Sequence, residues 1–165
     1  MRKKTEKSVK TERKVEIKRK PDAKFEDTAY WQNRPRGDTR MDWRNGASDW
    51  IEEYWESQFH PHRELILQAV GELGEQGGIL EVGCGAGANL TRLQEKYSEI
   101  QLAGCDVNND AIAFAQEKLP KPILKVGDVL DLPFADKSFG LVLTDATLIY
   151  VGPDDITRAL REIDR

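Results

Sequence analysis

The residues of this sequence best suited to chemistry are three alternating glycines and the carboxylates that follow them. The stretch Glu81-Val82-Gly83-Cys84-Gly85-Ala86-Gly87-Ala88-Asn89 comes after a short apolar run and opens an amphipathic one. At a strand-to-helix turn, Gly83 permits a tight bend. Gly85 brings bare backbone against a ligand, and Gly87 lets helix and loop pack closely. Each glycine costs backbone entropy that a simple turn would not need. Gly83-x-Gly85-x-x-Ala88 also satisfies the dinucleotide fingerprint. Asp106 stands 23 residues after Gly83, behind a second apolar run, where a carboxylate can accept both hydroxyls of an adenosine ribose. Gly127-Asp128-Val129 follows a third run; Asp128 there suits the exocyclic amine of adenine, with Val129 against the ring edge. Thr144 and Asp145 end a fourth. Asp145 is placed either to orient an acceptor or act as a base, or only to cap its loop.

The elements that must hold these residues can be read from periodicity. Strands are predicted at 79–82, 100–105, 122–126 and 139–144. Helices are predicted at 89–97, 110–119 and 154–165, the last with Ile156, Leu160 and Ile163 inward. Strands alternating with helices specify a parallel α/β sheet with right-handed crossovers. Ligands in such sheets bind beyond the carboxyl ends of the strands, where every residue named above falls. Upstream, Ser48 is a candidate cap for a helix beginning near Asp49. The spacing of Leu65, Ile66, Ala69, Val70 and Leu73 continues the helix until Gly74 and Gly77-Gly78 end it.

Residues 79–90, Asp106 and the run Val126-Gly-Asp-Val-Leu-Asp-Leu-Pro-Phe134 resemble the class I S-adenosylmethionine-dependent methyltransferases. Phe139 to Val151 and Ala159 to Arg165 resemble that family's fourth-strand motif and following helix. The match spans roughly residues 62–165. It implies a Rossmann-like parallel sheet with flanking helices and S-adenosylmethionine as cofactor. Gly83, Cys84, Gly85 and Gly87 would shape the cofactor loop. Glu81 would lie near the methionine amino group, Asp106 with Val107 would bind the ribose, and Asp128 with Val129 the adenine; Thr144 would adjoin the site. An acid at Glu81 disfavours a pyrophosphate and suits a cationic sulfonium amino acid, which weighs against NAD. The function implied is methyl transfer to a small molecule or a protein side chain, with Asp145 as the catalytic candidate. A catalytically inactive binding or scaffold subunit and, behind it, a nicotinamide oxidoreductase are the alternatives. Gly140, Ile149 and Tyr150 depart from the family pattern and leave the acceptor open. The sequence has no Asp/Asn-Pro-Pro-Tyr/Phe element and no Pro-Cys nucleophile, which counts against adenine-N6, glutamine-N5 and cytosine-C5 chemistry. The family sheet has strand order 3-2-1-4-5-7-6, and strands five to seven have no counterpart here. A truncated reading frame, a fragment, or a subunit completed by a partner chain is therefore expected, with Leu141-Val142-Leu143 as an exposed edge.

Tyr30-Trp31-Gln32-Asn33-Arg34 is similar to a Tyr-Trp-x-x-Arg box found ahead of the cofactor loop in some members. That similarity implies Tyr30 and Arg34 closing over the cofactor, with Arg34 on its carboxylate. All four tryptophans fall between Phe25 and Phe59, among Arg34, Arg36, Arg40 and Arg44. Packing is the preferred reading for Trp50 and Trp55, and an exposed Trp/Arg surface that stacks a planar acceptor is the other. His60 and His62 read as surface or capping residues, and no metal site is expected.

Composition bounds the rest. The chain has 165 residues, 39% hydrophobic, with a net charge of −4. That length suits one domain with a real core. Residues 1–24 carry +7 and the remainder −11, so a basic arm expected to be disordered precedes an acidic body. The arm could attract nucleic acid weakly; the acidic body argues against a nucleic-acid binder. No run of 18 apolar residues spans a membrane and no apolar leader is present. Cys84 and Cys105 alone cannot form a disulfide framework, so a reduced, cytoplasmic setting is expected. Three parts are expected: the arm 1–24, an aromatic segment 25–61, and the sheet domain 62–165.

Overall fold

The computed structural model describes residues 28–37, 49–74 and 77–165. The basic arm and the positions Trp43, Arg40, Arg44 and Ser48 lie outside them. Four parallel strands, β1 (Ile79–Val82), β2 (Leu102–Asp106), β3 (Ile123–Val126) and β4 (Leu141–Thr144), form one sheet in the order β3-β2-β1-β4. Among the described residues six α-helices accompany them: α1 (Thr28–Asn33), α2 (Trp50–Glu56), α3 (His62–Leu73), α4 (Ala88–Lys96), α5 (Asn109–Lys118) and α6 (Ile156–Asp164).

The centre of the sheet is the hydrophobic centre. All four residues of β1 are buried, because β1 pairs with β2 on one side and β4 on the other and helices cover both faces. Ile79, Leu90, Leu93, Leu102, Ile112 and Leu119 fill one face, with Leu67 and Val70 of α3. Leu80, Val82, Ala103 and Cys105 fill the other, with Ala159 of α6. The edges are wetter: Ile123 and Val126 of β3 are exposed, and β4 is half-buried along its length.

Three expectations need correction. The helix over residues 49–73 is interrupted: a 3-10 turn at Ser57–Phe59 and Pro61 separate α2 from α3. Pro61 has no backbone N–H to extend a helix through itself. Asp49 caps α2, accepting from the Ile51 N–H at 2.9 Å. The inward faces also differ. In α3 the buried residues are Arg63, Leu67 and Val70, while Leu65 and Leu73 face solvent. In α6 Ala159 is buried and Leu160 is exposed, since the short side chain lets the helix sit close to the sheet. Among the described residues no helix is long and apolar enough to cross a membrane.

Candidate functional site

A cavity of about 380 Å³ opens at the carboxyl ends of the strands, within the size range of small-molecule sites. Each strand contributes its tip: Val82 and Gly83 from β1, Asp106 and Val107 from β2, Gly127, Asp128 and Val129 after β3, and Asp145 after β4. Trp31, Arg34, Trp50, Glu53 and Tyr54 form the opposite wall. Among the described lining residues four side chains are carboxylic acids and one, Arg34, is a permanent cation.

The glycine loop is shaped by neighbours that leave no room for side chains. Gly83, Gly85 and Gly87 all adopt positive φ. A Cβ on Gly83 would lie 2.0 Å from Thr147 Oγ1, and one on Gly87 2.7 Å from Leu119 Cδ1. At Gly85 the tight neighbour is the ring of Tyr54, at 2.9 Å. Gly85 and the Tyr54 ring both line the cavity there. Asp106 fastens the loop from β2: its Oδ2 accepts the Gly85 N–H and its Oδ1 the Asn108 N–H, both at 2.9 Å. Burial nevertheless raises its carboxyl above the ordinary range, the two N–H donors and that of Val107 opposing the shift. Asp128 Oδ1 accepts the Leu130 N–H at 2.9 Å.

Of the residues singled out by sequence, Arg34, Gly83, Gly85, Asp106, Val107, Asp128, Val129 and Asp145 line the cavity. Tyr30, Glu81, Cys84, Gly87 and Thr144 do not. Glu81 and Cys84 are entirely buried beneath the loop. Burial pushes the Glu81 carboxyl up to about 8, although the Asn89 side-chain bond pulls the other way. Its Oε1 accepts from Asn89 Nδ2 at 2.6 Å, and its Oε2 has no partner among the described residues. Arg34 is also buried, with its guanidinium 5.2 Å from the Trp31 ring and 4.7 Å from that of Trp50. Of the Trp/Arg grouping, Trp31, Arg34 and Trp50 stand in the cavity wall, with the two rings half-buried. Trp50 belongs to that wall, whereas Trp55 packs against Phe114.

Sequence reasoning missed the polar layer under the site. Arg63 of α3 is buried, and its Nη1 donates to Asp145 Oδ2 at 2.6 Å and to Asn89 Oδ1 at 2.8 Å. Asn89 Nδ2 also reaches Asp145 Oδ2 at 3.3 Å. The Tyr54 ring lies 5.1 Å from the Arg63 guanidinium. Asn108, fully buried, was missed as well. Its side-chain oxygen caps α5 by accepting from the Ala111 N–H, and its Nδ2 donates to the carbonyls of Trp31 and Arg34 at 2.8 and 3.1 Å. The cap was legible, as an Asn just before a helical stripe; the long-range ties were not. Asn108→Ala is expected to cost about 2 kcal/mol by urea unfolding, from the lost cap and the stranded carbonyls. Asn108→Asp keeps the cap acceptor and removes only the donor, so it should loosen the Trp31–Arg34 segment to proteolysis while recovering part of that loss. Equal stability of Asn108→Ala and the wild type would contradict this.

Residues 79–165 match the family model described as "Methyltransferase domain". The chain is 39% identical over 90 residues to the fatty-acid O-methyltransferase of Mycolicibacterium smegmatis, covering 50% of this chain and 33% of that protein. It is 36% identical over 93 residues to the ajmaline N-methyltransferase of Rauvolfia serpentina, covering 53% and 31%. A solved structure pairing the Haloferax volcanii Trm112 methyltransferase activator with a methyltransferase superposes with a TM-score of 0.59 at 24% identity, over 70% of this chain and 51% of that one. The chain spans about a third of the length of these two curated relatives.

Proposed function

The chain belongs to the methyltransferase-domain family, and from that premise we propose that it binds S-adenosylmethionine across the strand tips and serves methyl transfer to an acceptor at the Asp145 end of the cavity. One observation carries the reading: the bare loop after β1 and the carboxylates Asp106 and Asp128 share a single cavity with an acidic wall. Asp106 accepts the Gly85 and Asn108 N–H groups, one on each oxygen, with that of Val107 beside them, and its carboxylate keeps acceptor capacity for a ribose hydroxyl. Asp128 has acceptor capacity for an adenine amine, with Val107 and Val129 beside it on the cavity wall. Arg34 supplies the cation for an amino-acid carboxylate. A pyrophosphate would meet four carboxylic acids and one arginine, which disfavours NAD.

The cofactor supplies an activated methyl group on a sulfonium. The protein's part is alignment of the two reactants and, for a protonated acceptor, removal of a proton. Asp145 is the group at the cavity placed for that second task. Relatives that methylate oxygen and nitrogen are both similar to this chain, so the acceptor is drawn broadly here, as a small molecule or a protein side chain. The buried, unpaired Cys84 and Cys105 suit a reducing, cytoplasmic setting.

Calorimetry with S-adenosylhomocysteine and with NAD tests the reading. Preference for S-adenosylhomocysteine is expected, and Asp128→Asn should weaken that binding about tenfold, or about 1.4 kcal/mol. Tighter binding of NAD would overturn it. Transfer of label from S-adenosylmethionine into a size-fractionated cell extract separates an enzyme from a binding subunit and assigns the acceptor class.

A further inference from the structure

We propose that His62 is a positioning residue for methyl transfer, holding Asp145 by Oδ2 through its Nε2 so that Oδ1 is turned over to the acceptor. The inference rests on the function proposed above and deepens it at the acceptor end of the site.

The hydrogen-bond geometry places His62 between His60 and Asp145. His62 Nε2 lies 3.2 Å from Asp145 Oδ2, and His62 Nδ1 lies 2.8 Å from His60 Nδ1. The backbone N–H of His62 also points at His60 Nδ1, at 3.3 Å, which makes that nitrogen an acceptor. On the other side stands Asp145. Arg63 is buried and needs a counter-charge close by. Glu81, the other acid of the layer, is kept neutral by burial. Asp145, 2.6 Å from Arg63, is left to supply the charge. A carboxylate at Asp145 requires an N–H on His62 Nε2, which then donates to Oδ2.

Every hydrogen bond that Asp145 receives from a described side chain ends on Oδ2: from His62 of α3, from Arg63 one residue on, and from Asn89 of α4. Oδ1 takes none of them, and Asp145 lines the cavity. The carboxylate is thus gripped on one oxygen and open on the other. Tyr54 from α2 and Glu81 from β1 complete the titratable surroundings of the pair, with His60 in the turn before α3. His62 is 40% exposed in its side chain, so solvent can reach its protons while Arg63 beneath is sealed. Asp145 Oδ1 would take the proton that the acceptor sheds as its lone pair forms the new bond to the methyl carbon, the methyl–sulfur bond breaking with its electron pair left on the neutral thioether. The Nε2 proton of His62 would stay in place.

Nitrogen NMR of the full chain labelled at histidine tests the geometry without any ligand. His62 is expected to carry a proton on Nε2, and Asp145→Asn to shift the signal of that nitrogen. A bare Nε2 in the wild type, or a His62 signal indifferent to Asp145→Asn, would overturn the proposal, whatever the chain binds. The second arm uses labelled S-adenosylmethionine with whole cell extract. His62→Ala should lower incorporation at least tenfold with S-adenosylhomocysteine affinity and melting temperature unchanged. His62→Gln, which restores an N–H donor toward Asp145 Oδ2, should recover most of the rate. A rate equal to wild type in His62→Ala counts against the proposal. Failure of the wild-type chain to bind S-adenosylhomocysteine sinks the proposed function instead and leaves the NMR arm to decide this inference.

Discussion

Gly83→Ala is expected to destabilise the chain by about 2–5 kcal/mol and to disable the site with it. The residue sits at φ +74, where an L side chain costs about 1–2 kcal/mol. The new Cβ would also stand 2.0 Å from Thr147 Oγ1, 2.7 Å from its methyl group and 2.8 Å from its Cβ, and such overpacking costs about 1–3 kcal/mol. Thr147 has little freedom to retreat. Its hydroxyl donates to the Val82 carbonyl at 3.1 Å and lies 3.3 Å from the Asp145 carbonyl, so it staples the end of β1 to the loop after β4. Ala146 between them is itself held at φ 58. Pushing Thr147 away therefore moves Asp145, and the loss of ligand binding should exceed the loss of stability alone. Adding Thr147→Ala removes the two closest overlaps and leaves the third. The double variant should regain a measurable part of the loss, a coupling of about 1 kcal/mol or more in a double-mutant cycle. Wild-type unfolding by urea in Gly83→Ala would show that the loop is looser than these distances allow.

The contrast between what could be read and what could not has a physical basis. The four strands were legible because each is a short apolar run beside a helical stripe, and periodicity reports burial directly. The strand order β3-β2-β1-β4 followed from the family resemblance and is the order observed. The glycines were legible because positive φ and close approach leave few residue types free. Arg63, Asn89 and Asn108 gave no such signal. The long-range partners that Arg63 and Asn108 hold stand 26 to 82 residues away in sequence, and a buried arginine inside a helix looks like any solvated one until its counter-ion is in view. Leu65 and Leu160 failed in the opposite sense: both fit an apolar stripe, yet Arg63 and Ala159 hold the inward positions because the sheet offers a counter-ion to one and close packing to the other. His62 was passed over as surface, since nothing nearby in sequence announces Asp145.

Glu81→Gln should make the chain more stable, and increasingly so as pH rises. Buried Glu81 holds its proton to about pH 8, against an ordinary value of 4.5. Below 4.5 the group is protonated in both folded and unfolded chains and exacts nothing. Above it, the unfolded chain sheds the proton while the folded chain keeps it, so stability falls with rising pH by about 1.4 kcal/mol per unit until the folded group ionises too. The accumulated cost at pH 7 is about 3 kcal/mol, a large share of a typical 5–15 kcal/mol. Glutamine has no proton to lose, and its Oε1 can accept the same bond from Asn89 Nδ2. Urea unfolding at pH 5, 7 and 8.5 should show the variant pulling away from the wild type between the first two and holding its lead at the third. Parallel curves would mean that Glu81 is ionised in the folded chain, with Arg63 shared between two carboxylates. An acid kept at such a cost in the middle of β1 points to use in the site. If Glu81 answers the amino group of the cofactor, the stabilised variant binds S-adenosylhomocysteine less tightly; unchanged binding would confine Glu81 to the layer that holds Asn89 and, through it, Arg63 and Asp145.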